Sequence, residues 1–170
     1  MRTAYRVPII VCLSCCLLGS DVAARAARAL QTTAVPLAER ARGAELVVVG
    51  RVASVVSGWQ VNDFGDRLIV SVVRVVVNET LKGQPLTTID VEVEGGTIGE
   101  ITLHVSDETS FSPGDRAVFY LKRTARGTFA PHLRGDGLLK LDASNRVSGS
   151  SLTLEEIRRE AAVGAVGNVR

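Results

Sequence analysis

The residues able to carry chemistry are few in this chain. Its two histidines, His104 and His132, stand near carboxylates: Asp107 and Glu108 follow the first, and Asp136 follows the second. A small hydrolase would need a nucleophile, a base and an orienting group brought together, and His132 with Asp136 is the one pairing the spacing suggests. No G-x-S-x-G elbow is present, and Ser148-Gly149-Ser150-Ser151 reads as a loop before a helix. Zinc would need three ligands from His104, His132, Asp107, Glu108 and Asp136, whose spacing fits no metal signature. Asn62-Asp63-Phe64-Gly65-Asp66 gathers oxygen ligands as a calcium loop does, yet turn formation accounts for the same string more simply. Gly95-Gly96-Thr97-Ile98-Gly99 resembles a phosphate cradle, which needs a helix behind it; the alternation of Ile101, Leu103 and Val105 announces a strand instead. No catalytic group, metal or cofactor is therefore expected.

Contact residues are better represented. Trp59 is the only tryptophan, and Phe64 follows in the same expected loop. Together with Asn62 and Asp63 they form a candidate contact surface, since aromatic side chains on loops are frequent anchors. Trp59 could equally cover a barrel end. Gly95, Gly96, Gly99 and Glu100 form a second candidate, a tight hairpin beside the first.

Composition bounds the partners. Apolar residues make up 46% and charged residues 22% of the 170, which is globular composition. Aromatic residues are only 4%, so the core must be built from Val, Ile and Leu, whose β-branched members suit strands. Met1–Arg6 is basic, Val7–Leu18 is apolar, and small-residue sites follow at Val22-Ala23-Ala24, Ala24-Arg25-Ala26 and Ala27-Arg28-Ala29. This is the order of a secretory signal peptide, expected over 1–29; the apolar run is shorter than the about 20 residues that cross a bilayer. All three cysteines, Cys12, Cys15 and Cys16, lie within it. The exported domain would then have no disulfide, no thiol chemistry and no membrane span. Removing Arg2, Arg6, Arg25, Arg28 and Asp21 leaves it nearly neutral, which argues against nucleic acid as a partner.

The elements that must position these residues follow from periodicity. Pro36–Ala44 predicts a short helix with Leu37, Ala41 and Ala44 on one side. Leu46–Val56 predicts a strand bent at Gly50, Trp59–Arg67 a polar connection, and Arg67–Val77 a second strand. Ile89, Val91 and Val93 alternate with acids as a half-buried strand; Gly95-Gly96 ends it, and Ile101–Val105 predicts another strand with His104 outward. Ser112-Pro113-Gly114-Asp115 predicts a type I or II turn into Ala117, Phe119 and Leu121, with short strands at Thr128–Pro131 and Leu138–Leu141. Thr153 and Glu156 form a capping box before a helix with Leu154, Ile157 and Ala161 on one stripe, expected to pack across a mouth or edge of the sheet and to fray from Val163. The expected fold is mainly β: a small OB-like Greek-key barrel over 30–150 with a short N-terminal helix, and a C-terminal helix and tail over 151–170.

The run Ala44-Glu45-Leu46-Val47-Val48-Val49-Gly50-Arg51-Val52, the strand ending Val77-Asn78-Glu79-Thr80-Leu81-Lys82-Gly83, the Gly95-Gly96 break, and Phe111-Ser112-Pro113-Gly114-Asp115-Arg116 leading into Ala117-Val118-Phe119-Tyr120-Leu121 together resemble a group of uncharacterised exported bacterial proteins. More remotely the chain is similar to the netrin-like domain of the tissue inhibitors of metalloproteinases, over about Leu37 to Asp142. The resemblance implies a five-stranded OB-like barrel flanked by helices, a scaffold that binds proteins, oligosaccharides or oligonucleotides. Those inhibitors act through an N-terminal cysteine, which this domain lacks. The expected function is accordingly a non-enzymatic periplasmic or secreted binding module for a protein or envelope polymer, in an oligomeric state left open; the alternatives are the hydrolase built on His132 and a protease inhibitor that dispenses with the cysteine.

Overall fold

The computed structural model describes residues 35–166 apart from Asp63; the expected signal peptide and its cysteines lie outside the described residues. Helix α1 (Leu37–Gly43) leads into β1 (Leu46–Val61) and β2 (Arg67–Lys82), followed by β3 (Thr88–Glu94), β4 (Gly96–Ile98), β5 (Ile101–Leu103), β6 (Arg116–Arg123) and β7 (Phe129–Pro131). A 3-10 turn (Arg134–Gly137), β8 (Leu138–Leu141) and α2 (Leu154–Val166) complete the described chain.

Five strands close a ring in the order β1-β2-β3-β7-β6, with β6 returning to β1 through Leu46↔Leu121 to Arg51↔Arg116. The β3–β7 contact, Val91↔Phe129, is parallel and the other ring pairings are antiparallel. This is the Greek-key order of an OB-type barrel, as expected. Strand β8 extends the sheet along β6 beyond β7. Among the described residues no helix is long and apolar enough to cross a membrane.

The valine-rich run at the start of β1 is uninterrupted because it is buried on both faces. Leu46, Val48 and Val52 point into the barrel with Val73, Val75, Val91, Phe119 and Phe129. Val47 and Val49 point outward with Val118 and Tyr120 and are covered by Ala41 of α1 and by Leu154, Ile157 and Ala161 of α2. So α2 lies with α1 on the outer face of β1 and β6, not across a mouth or edge. Gly50 sits at a register shift against β2, and a Cβ there would overlap Val75 Cγ1 and lie 2.9 Å from Val76 O, which accounts for the bend.

Several expectations need correction. Strand β1 runs on to Val61 and β2 to Lys82, so the polar connection expected over Trp59–Arg67 shrinks to residues 62–66. Trp59, Gln60 and Val61 pair with Ile69, Leu68 and Arg67 in a two-stranded ribbon that outruns the barrel. Having no second sheet face to bury, the ribbon lacks the apolar run that marks a barrel strand. Ile101–Leu103 pairs only with Gly96–Ile98, as a separate small hairpin, and Ile101 is 56% exposed. The cause is Gly95 and Gly96, whose φ of +97° and +135° turn the chain out of the barrel. Helix α2 continues through Val163 to Val166. The capping box forms as read: the Thr153 N–H donates to Glu156 Oε2 at 2.8 Å and the Glu156 N–H to Thr153 Oγ1 at 3.3 Å.

Candidate functional site

The two sequence candidates diverge in the structure. In the β1–β2 turn the Asn62 carboxamide is consumed internally: its oxygen accepts from the Phe64 and Asp66 N–H groups at 3.0 and 2.8 Å, an Asx turn. Asp63 lies outside the described residues. Phe64 is 90% exposed at the tip. Trp59 stands on β1 with the Arg67 guanidinium 4.9 Å from its ring, and no ring stacking joins it to Phe64 among the described residues. Trp59 therefore belongs to the ribbon and not to a loop, and it is half-exposed.

The hairpin candidate is more productive. Hairpin β4–β5 folds back over the β1–β2 ribbon and is held by a chain of hydroxyls. Ser71 Oγ donates to Gly95 O at 2.7 Å, so its proton is committed; Ser57 must then donate to Ser71 Oγ across 3.0 Å, and Ser57 Oγ accepts from the Thr97 N–H at 3.3 Å. Gly96 lies on this pair so closely that a Cβ would overlap both serine oxygens. Gly95 and Gly96 thus have a structural reason, close backbone approach, while Gly99 and Glu100 form the exposed tip.

Between hairpin, barrel and the following loop lies a cleft of about 310 Å³. Val55, Val73, Val93 and Phe111 supply its apolar lining; Thr97, His104, Glu108, Thr109 and Ser110 supply polar groups, alongside the backbone of Gly95 and Gly96. Glu108 is its most unusual member. Its side chain is only 7% exposed, and Oε2 is buried with no hydrogen-bond partner among the described residues. Oε1 lies 3.5 Å from Arg134 Nε, while Arg134 also meets Asp107 at 3.1 Å and Glu94 at 2.7 Å. Arg134 and its neighbour Leu133 both occupy left-handed backbone, φ +54° and +66°, a conformation that costs non-glycine residues free energy and persists where the surroundings enforce it. Burial holds the Glu108 carboxyl above the usual glutamate range; the Arg134 charge opposes this, and Asp107 and Glu94 add to it.

No protein-family model matches the chain, and no curated protein sequence matches it either.

The hydrolase pairing is not assembled. The Asp136 carboxylate is turned to Arg40, 3.5 Å from Nη2. The His132 ring lies against Gly43 of α1, where a Cβ would overlap Nε2, and burial with the charges of Lys122 and Lys82 pulls its imidazole below the usual range. His104 is exposed as expected, on the cleft wall. Among the described residues no group of three His, Cys, Asp or Glu side chains could hold a metal. Glu108 stood in the sequence only as a possible zinc ligand, and Thr109 and Phe111 belonged to neither candidate contact surface; the alternation runs on through Val105, so no local pattern marks the point where the chain leaves the hairpin at Leu103.

One prediction follows from Glu108. Because its carboxyl keeps a proton to higher pH in the folded than in the unfolded chain, stability falls as pH rises from the ordinary glutamate value through the raised one. Glu108→Gln, which cannot ionise, is expected to flatten that fall. Urea midpoints between about pH 4 and about pH 8 measure it; an unaltered pH slope in the variant would show the carboxyl to be ordinary.

Proposed function

We propose that this chain is an exported, non-enzymatic binding module that holds an extended protein segment or envelope polymer in the cleft between the β4–β5 hairpin and the loop 104–111. The observation that carries the reading is the cleft itself: valines and Phe111 along its base, hydroxyls and one buried, half-unpartnered carboxyl around them. Such a mixture of apolar surface with a few placed polar groups is what ligand sites use. A basic, aromatic-studded groove of the kind that binds single-stranded nucleic acid is not part of the reading. The netrin-like resemblance supports it only at the level of scaffold, because an OB barrel binds through one face and its loops. Within this reading Gly95 and Gly96 shape the cleft wall, Gly99 and Glu100 stand at the tip that a polymer would pass, and Trp59, Asn62 and Phe64 contribute through the adjoining ribbon.

The test is a binding panel of envelope polysaccharide fragments and peptides, repeated with Thr109→Trp to fill the cleft. Binding should fall at least about tenfold, more than one kcal/mol of lost contact. Affinity unchanged in that variant removes the cleft as the site. Turnover of an ester, glycoside or peptide that vanished in His132→Ala would replace the binding reading with the hydrolase.

A further inference from the structure

Among the described residues the β1–β2 ribbon leaves one strand edge uncovered, and three backbone hydrogen bonds fix its phase. The Gly95 N–H donates to Ile69 O at 2.8 Å, so the Ile69 backbone faces away from β1. Trp59, opposite Ile69, is consequently a non-hydrogen-bonded position whose own N–H and C=O point to the outer edge. Alternation gives the same orientation to Val55, Ser57 and Val61. The other end agrees: across the irregularity between Val52 and Ser54, Val52 points outward and is met by Asp115 O and the Gly114 N–H, both at 2.8 Å. Strand β6 covers this edge as far as Arg51 and the 114–115 turn covers Val52. Beyond that, among the described residues, no backbone bond reaches Val55, Ser57, Trp59 or Val61 from the outer side.

Edges of this kind are normally blunted by charge, proline or a covering element. From Val52 to Val61 the sequence is Val-Ala-Ser-Val-Val-Ser-Gly-Trp-Gln-Val, without a charge or a proline. We propose that this edge pairs antiparallel with the same edge of a second copy of the chain, giving a two-fold dimer with a continuous β1–β1 ladder.

The uncharged run and the open position at its centre, Gly58, favour a second copy over a foreign strand. The outward residues are symmetric about Gly58. A two-fold axis there sets Val55 against Val61 of the second copy and Ser57 against Trp59 of the second copy, and each pair exchanges two N–H···O bonds. At the axis Gly58 meets Gly58 of the second copy, and a Cβ on Gly58 would touch nothing within 4 Å, so none of the described residues blocks the approach. On that same side Val56, 65% exposed, comes opposite Gln60 of the second copy. An uncharged run can face itself without setting like charges opposite, whereas it offers a foreign strand no charge by which to be selected. The cleft proposed as the ligand site does not depend on this edge.

The experiment uses sedimentation velocity on the purified chain over a concentration series. The parent should dimerise. Gly58→Lys sets two ammonium groups face to face on the axis, and Gly58→Glu two carboxylates; each should weaken dimerisation by about tenfold or more, with circular dichroism unchanged because the position is open. Mixing the two variants should restore a dimer of mixed composition. A parent that stays monomeric at every concentration, including one that instead captures an extended peptide, overturns the proposal. So does a Gly58→Lys variant that dimerises as the parent does, or a mixture that fails to recover.

Discussion

Phe119→Ala should lower the free energy of unfolding by about 3–5 kcal/mol, the range for emptying a large aromatic site in a core. Phe119 lies at the centre of the barrel, wholly buried, between Val48 on β1 and Leu138 on β8 in the sheet register. Its ring stacks on Phe111 at 5.4 Å between centroids and 28° between planes. The valines around it are too stiff at χ1 to collapse into the space. Urea denaturation followed by the single tryptophan measures the loss. Phe119→Leu, which retains much of the volume, should cost less than about half as much. Phe64→Ala, at the exposed tip, should fall within about 0.5 kcal/mol of the parent. If Phe119→Ala and Phe64→Ala lost similar amounts, the barrel interior would not be the main source of stability.

Where a side chain's burial follows from its own strand, the fold was legible. Ile89, Val91 and Val93 alternate because one face of β3 meets the barrel interior, and the run from Leu46 to Val49 is continuous because two layers claim it. Gly50 announced a bend, and Thr153 with Glu156 announced the start of α2. Legibility ended where burial comes from elsewhere. The far half of β1 resembles a loop, since Gly58, Trp59 and Gln60 sit in a ribbon with no core to impose a period. Gly95 and Gly96 were visible as a break, but the Ser57–Ser71 pair they rest on is made by closing the hairpin. Glu108 and Arg134 meet only because the chain returns past β6 and β7. Lys82 shows the same limit: its ammonium donates to the carbonyls of Ala41, Arg42 and Ala44 at 2.8, 3.2 and 2.6 Å, capping the end of α1 from the far end of β2. No local pattern can report a cap supplied from another element.

Arg40→Met should be the second large loss, about 2–3 kcal/mol, the scale of charge-assisted hydrogen bonds from a buried guanidinium to partly buried acceptors. Arg40 is 6% exposed, on the same side of α1 as Leu37 and Ala41. Its Nε donates to Val35 O at 2.8 Å and its Nη1 to Asp136 O. One guanidinium therefore ties the start of the described chain and α1 to the 3-10 turn before β8. Methionine keeps most of the buried stem and removes the donors, so the two carbonyls are left unpaired. The Asp136 carboxylate contributes little, being 55% exposed and 3.5 Å from Nη2, where solvent screens it. Asp136→Asn should accordingly stay within about 0.5 kcal/mol of the parent, and Arg40→Lys should fall between, because an ammonium cannot reproduce the planar fork. Urea midpoints for the three variants separate the cases. An Asp136→Asn loss as large as that of Arg40→Met would mean that ion pairing, and not the carbonyl tether, holds α1 to the barrel.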